Sequence, residues 1–434
     1  MPYRDIPGAN LRYALISFDD KGRERTDDPE GGVFSRRLIE SARQEKPTNI
    51  FLFSHGWKGD LPAAIDQYNR WIGAMGGLVA DQRAMGGSFK PMWIGLHWPS
   101  LPWGEESFGG ASFAAGEEGG PTVDELLEKA VEHFGGESVR GPLKVIFDAH
   151  RADMAAFEVP PEALAAYQEL AKAIGFSASG EADGSPDTDG AALDPQAALE
   201  AENAAAAAFG GGGGFLGGIV SGLRQASFWM MKSRARTVGE QGMHQFIAAL
   251  QNVCGAKIHL MGHSFGCVVV SSILGGPGGK ARMPRPVSSA VLVQGAMSLW
   301  GYADQVPDLS KPGYFRNVLA NRNVSGPIVT TQSPFDTAVG VLYPAAVGLV
   351  READFAPGNL PKYGAIGTFG IQGTNVAEGR EMLEADGQYG FQCGRIYNLA
   401  SGKFIKKMEG ASGAHSDIDG QQVAHAIWQA ALVS

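Results

Sequence analysis

Residues 256–268 run AKIHLMGHSFGCV, so an apolar, strand-like run ends in Gly262-His263-Ser264-Phe265-Gly266, and small or apolar residues continue to Leu274. This order predicts a buried strand, a sharp turn and a buried helix in immediate succession. The glycines two before and two after Ser264 leave room for the turn, which would project the serine from the strand end in a strained conformation. The segment therefore demands a sheet with a helix packed on it, and it makes Ser264 a candidate nucleophile. The plain alternative is an ordinary glycine-rich turn.

The rest of the chain alternates in the same way. Residues 11–18 alternate apolar and polar, while 49–53 (NIFLF) and 91–98 (PMWIGLHW) are continuous apolar runs of the kind buried on both faces of a parallel sheet. Further strands are expected at 257–261, 290–294, 328–331 and 394–397. Helical spacing is present at 33–42, 61–79, 229–250 and 418–432. The expected class is α/β, with a mostly parallel central sheet flanked by helices.

Between residues 101 and 225 this rhythm stops and Gly, Ala, Glu and Asp take over. The chain is accordingly read as a core of 1–100 with 226–434 and an insertion of 101–225, a lid or cap candidate placed before the strand that leads to Ser264. Within it, 160–174 reads as a helix with Pro161 in its first turn, and 177–194 as a polar, acidic loop. Residues 204–223 are uncharged and contain eight glycines. That stretch is about as long as a membrane span, but its glycines make it a poor helix, so a flap over an apolar crevice is expected instead. Residues 295–325 are a second, shorter cap candidate.

The 434 residues carry a net charge of −10 and no basic block, which argues against nucleic acid as a partner. Cys254, Cys267 and Cys393 lie far apart with no metal-ligand spacing, so neither a disulfide framework nor a metal site is expected. The first residues lack a signal-peptide pattern, and a cytoplasmic location is the default expectation, with signal-free secretion left open. Gly275-Gly276-Pro277-Gly278-Gly279-Lys280 lacks the spacing of a phosphate-binding loop and reads as a plain loop.

A neutral serine is a poor nucleophile, so Ser264 needs a histidine to accept its proton and a carboxylate to orient that histidine. Asp336, in Gln332-Ser333-Pro334-Phe335-Asp336, follows the expected strand 328–331 and is the candidate acid, with Asp304, Asp308 and Asp354 as rivals. His415, in Gly413-Ala414-His415-Ser416-Asp417, precedes the closing helix and is the candidate base; His425, His244, His133 and His150 fall inside helices or the insertion. Asp417 reads as a cap or first-turn charge of that helix. An oxyanion needs two N–H donors, for which the amides of Phe265 and Trp57 are the candidates. His55, His263 and Trp98 stand beside these positions and are expected to contact substrate.

His55-Gly56-Trp57 after a strand, Gly262-His263-Ser264-Phe265-Gly266, Asp336 and Gly413-Ala414-His415, in that order, resemble the α/β-hydrolase superfamily, particularly its lipases and esterases. The resemblance covers residues 48–99 and 226–432. It implies an eight-stranded, mostly parallel sheet, a Ser-His-Asp triad and no cofactor. It also implies a serine esterase or lipase acting on a small-molecule or lipid-like ester through an acyl-enzyme, with peripheral membrane contact and oligomeric state left open. Phospholipase, thioesterase and amidase chemistry run on the same triad, and a non-catalytic binding protein of the same fold is the further alternative. The insertion before the nucleophile strand departs from the family, whose lids more often follow the next strand.

Overall fold

The computed structural model describes residues 3–26, 33–57, 61–100, 122–153, 158–175, 194–200, 220–307, 311–342, 360–361 and 364–433. The expected acidic loop and most of the glycine-rich stretch lie outside the described residues, as do Asp308 and Asp354.

Nine strands form one sheet in the order β1-β2-β4-β3-β5-β6-β7-β9-β8, namely β1 (Tyr3–Asp5), β2 (Arg12–Ser17), β3 (Asn49–Ser54), β4 (Pro91–His97), β5 (Lys257–His263), β6 (Ser289–Val293), β7 (Ile328–Gln332), β8 (Ala377–Glu381) and β9 (Ile396–Ala400). Every residue of β3 and β6 is buried, as covering both faces of a parallel sheet requires. Only β1 pairs antiparallel; the other pairings are parallel.

The resemblance implied eight strands, and the composition of β8 explains why this one carries no apolar signal. Its sequence is AEGRE, and it lies at the sheet edge, where charged side chains are tolerated. Glu378 accepts from Arg380 and Arg395, and the Arg380 guanidinium lies 4.5 Å from the Tyr397 ring centroid.

The helices beside the sheet are α1 (Phe34–Glu45), α2 (Leu61–Gly77) and α3 (Val79–Ala84). Three more, α4 (Val123–Phe134), α5 (Arg140–Ala152) and α6 (Pro161–Ala173), lie in the insertion. The chain continues with α7 (Ser221–Val238), α8 (His244–Val253), α9 (Gly266–Gly275), α10 (Arg316–Ala320) and α11 (Gln421–Leu432). Phe51, Phe53, Met261, Val291, Val293 and Val329 form one apolar layer with Trp71, Ile72 and Met75 of α2 and Val423, Ile427 and Trp428 of α11. Each fully buried large side chain there contributes about 1.5–3 kcal/mol. The expected helix at 229–250 is interrupted by a wider turn at Gly239–Met243.

The chain divides into two compact units, one of residues 1–100, 232–341 and 364–434, the other of 101–231 and 342–363. The expected boundary at residue 226 falls inside α7. In the second unit, α4 begins with a Thr122/Glu125 capping box, and α5 packs on both α4 and α6. Leu126, Leu143, Ile146, Phe147, Tyr167 and Leu170 are buried there. Only the last of these three helices matches one expected from the sequence, at 160–174. Among the described residues no helix is long and apolar enough to cross a membrane.

One buried imidazole lies within the sheet. His259 Nε2 accepts from Asn49 Nδ2 at 3.0 Å, its Nδ1–H donates to Ser289 Oγ at 2.9 Å, and the ring stacks on Phe51. Burial, aided by the Lys257 charge, pushes its pKa from 6.5 down to about 3. Below pH 6.5 the unfolded chain binds a proton that the folded chain refuses, so stability present above 6.5 is lost as pH falls towards 3, by about 1.4 kcal/mol per pH unit. The urea midpoint is therefore expected to drop from pH 7.5 to pH 4.5, and to drop less steeply in His259→Gln. An equal slope in the variant contradicts this assignment.

Candidate active site

Strand register brings the segments of interest to one edge. Ser54 pairs with Gly262, His263 with Val293, and Gln332 with Ala400. The chain segments following β3, β5, β6, β7 and β9 consequently all leave from the C-terminal edge, where ligands bind in open parallel sheets.

Ser264 follows β5 with φ +57°, a left-handed conformation that costs a non-glycine residue about 1–2 kcal/mol. Hydrogen bonds hold it there. Its amide donates to the Val293 carbonyl at 3.1 Å, and its own carbonyl accepts from the amides of Cys267 and Ala296 at 3.0 and 3.2 Å. Close approach explains the flanking glycines, since a Cβ on Gly266 would lie 2.3 Å from the Ser54 carbonyl oxygen, and one on Gly262 would lie 2.3 Å from that of Gly266. Gly56 is tighter against the serine itself, because a Cβ there would sit 2.4 Å from Ser264 Cβ. The segment after β3 thus lies directly on the serine, and the Trp57 and Phe265 rings are 5.8 Å apart.

His55 holds that segment. Its amide donates to Tyr68 Oη at 2.8 Å and its Nε2 accepts from the Trp98 amide at 3.3 Å, which leaves Nδ1–H to donate to the Gly56 carbonyl at 2.9 Å. Fixing that carbonyl fixes the planar peptide that carries the Trp57 N–H. Trp98 stacks on the His55 ring and donates its indole N–H to the His55 carbonyl at 3.2 Å. Burial first, then the neighbouring His97, pushes the His55 pKa down to about 3 against the pull of the Gly56 carbonyl, so this ring is neutral.

Asp336 and His415 meet on the adjacent loops. His415 Nδ1 lies 2.8 Å from Asp336 Oδ2, with the aspartate side chain fully buried and that of the histidine 13% exposed. Oδ2 also accepts from Gln294 Nε2 at 3.1 Å, and Oδ1 accepts from the Val339 amide at 3.1 Å. The Ala414 amide donates to the Phe335 carbonyl at 2.8 Å, stitching the two loops together beside the pair.

His263 ties this pair to the serine turn. Its Nε2–H donates to the His415 carbonyl at 2.9 Å, its Nδ1 accepts from Gln67 Nε2 at 3.2 Å, and the His263 and His415 rings are 4.8 Å apart. Burial, then the neighbouring His415, holds His263 well below the ordinary imidazole range. Ser264 Oγ makes no hydrogen bond to His415 among the described residues.

The structure thus gathers Ser264, Asp336, His415, Trp57 and Phe265 at one edge. His55, His263 and Trp98, expected to contact substrate, are buried with their ring nitrogens bonded to protein groups. Those bonds brace the segments beside Ser264. Asp417 is differently placed, since α11 starts at Gln421 and the Asp417 carboxylate accepts from the amides of Lys406 and Lys407 at 2.9 and 2.8 Å. The rival Asp304 pairs with Arg316. His425 forms a second His-Asp pair with Asp81 at 2.7 Å, but its Nε2 faces the Gly387 carbonyl at 2.6 Å, so neither nitrogen is left for a hydroxyl.

Gln67, Gln294 and Thr331 carry no signal in the sequence, because neutral polar residues at strand ends and in helices have no distinctive pattern. Among the described residues no group of three His, Cys, Asp or Glu side chains converges as a metal site. Comparison with protein-family models, curated proteins and solved structures finds no match.

Gly56→Ala forces a methyl group into the space of Ser264 Cβ. It is expected to destabilise the fold by about 1–3 kcal/mol and to slow Ser264 modification by a fluorophosphonate. Urea unfolding and labelling rates read both effects, and wild-type values in both would show that the approach is not tight.

Proposed function

We propose that this chain is a serine hydrolase of carboxylic esters with an α/β-hydrolase fold, in which the inserted unit serves as lid or cap. The observation that carries the reading is the 2.8 Å bond from His415 Nδ1 to the buried Asp336, on the sheet edge that presents a serine at positive φ. The strand order supports it too, because serine, acid and histidine follow β5, β7 and β9 in a sheet where β7 neighbours both β6 and β9.

In the proposed reaction, Asp336 keeps the proton on His415 Nδ1, so Nε2 is the nitrogen that accepts the Ser264 proton. The alkoxide oxygen attacks the ester carbonyl, and the amides of Phe265 and Trp57 receive the oxyanion. His415 returns the proton to the departing alcohol; water, activated by the same nitrogen, then releases the acid from Ser264. The bond from Ser264 Oγ to His415 Nε2 that this requires forms in the substrate complex, where such contacts tighten. Every proton is carried by a side chain, and the proposal calls for no cofactor. Phe335, Leu61 and Met408 are 44%, 39% and 58% exposed on the segments following β7, β3 and β9, which favours an apolar ester.

Ser264→Ala is expected to lower turnover of p-nitrophenyl butyrate on the order of a thousandfold or more, with an unchanged urea midpoint. Turnover within a few-fold of the parent protein would refute the proposal.

A further inference from the structure

A buried glutamine links the end of β6 to the acid. Gln294 is fully buried and takes a positive φ of 45°, one of the few non-glycine residues to do so among those described. Such backbone strain persists only where surrounding contacts enforce it. Thr331, on the neighbouring strand β7, does so twice: its Oγ accepts from the Gln294 amide at 2.9 Å, and its hydroxyl donates to Gln294 Oε1 at 3.0 Å. Since the carboxamide oxygen faces a hydroxyl donor, the amide nitrogen must face the other way. There it meets Asp336 Oδ2 at 3.1 Å, the same oxygen that accepts from His415 Nδ1. Gly367 closes the site behind it, with no room for a side chain beside the Gln294 backbone.

This arrangement does more than satisfy a buried amide. With Oδ1 taken by the Val339 amide and Oδ2 by Gln294, the carboxylate plane is fixed by two donors that approach independently of the histidine. Only one lone-pair direction on Oδ2 is left for His415. Without Gln294 the carboxylate could turn about its Cβ–Cγ bond, and the Nδ1 partner would move.

We propose that Gln294, oriented by Thr331, is a positioning residue that sets the Asp336 carboxylate for His415. The inference rests on the ester-hydrolase reading given above. It predicts a defect in nucleophile activation and none in substrate binding.

The test uses the full chain, p-nitrophenyl butyrate kinetics and the rate of fluorophosphonate labelling. Gln294→Met keeps length and burial but removes the donor, and is expected to lower kcat and the labelling rate about tenfold or more, with KM within about twofold of the parent. Thr331→Val keeps shape, frees the amide to turn over, and should give a smaller loss of the same kind. Because Thr331 acts through Gln294, the double variant should be no slower than Gln294→Met alone. An unchanged kcat in Gln294→Met, a loss confined to KM, or additive losses in the double variant would each overturn the proposal. Where Gln294→Met fails to fold, Thr331→Val decides alone, with unchanged kcat and labelling overturning it. A parent chain that neither turns over the ester nor labels at Ser264 would instead sink the hydrolase reading itself.

Discussion

The left-handed turn at Ser264 is the constraint on which the rest of the site depends. Its φ of +57° is held by backbone bonds to Val293, Cys267 and Ala296, so the turn is anchored to β6 as well as to its own helix. Backbone groups of β3 and the segment after it close the other side, where Gly266 meets Ser54 and Gly56 meets the serine. A strained conformation survives because three chain segments exclude the alternatives. The same packing places the Phe265 and Trp57 peptides beside the serine, so the nucleophile and the oxyanion donors of the proposed reaction have one structural origin.

Three histidines surround this turn, and burial separates their roles. His55 and His263 have both ring nitrogens bonded within the protein, and desolvation drives each towards the neutral form. Neither can take up a proton without breaking a bond in a dry site. His415 differs: its ring is partly exposed, and its Nδ1 is paired with a carboxylate. The proposed general base is therefore the one ring of the three whose second nitrogen carries no bond to a protein group among the described residues. His425 makes the converse point, because a buried His-Asp bond whose second nitrogen faces a carbonyl is a tether between α11 and its neighbours.

Much of this was legible in the sequence, for physical reasons that also mark where reading stopped. Strands buried on both faces leave uninterrupted apolar runs, so β3, β4 and β5 stand out. Loops at the ends of such strands could be scanned for polar residues, and Asp336 and His415 lie on the loops so identified. Strand β8 was invisible because an edge strand tied down by ion pairs needs no apolar alternation. What the sequence does not show of His55, His263 and Trp98 is their bracing, because the groups that hold their ring nitrogens (the Gly56, His415 and His55 carbonyls, the Trp98 amide and the Gln67 side chain) are mostly remote in sequence. Gln294 escaped because nothing in its neighbours in sequence announces a bond to a residue 42 positions away.

The central claim is that Ser264 becomes covalently acylated, and it can be read directly. The protein is mixed briefly with p-nitrophenyl butyrate, quenched in acid and digested, and the peptides are mapped by mass spectrometry. The account predicts one butyryl group on the peptide containing Ser264, absent from Ser264→Ala and accumulating in His415→Ala only to a trace. Ester turnover with the acyl group on another residue, or with an unmodified Ser264 throughout, would contradict it.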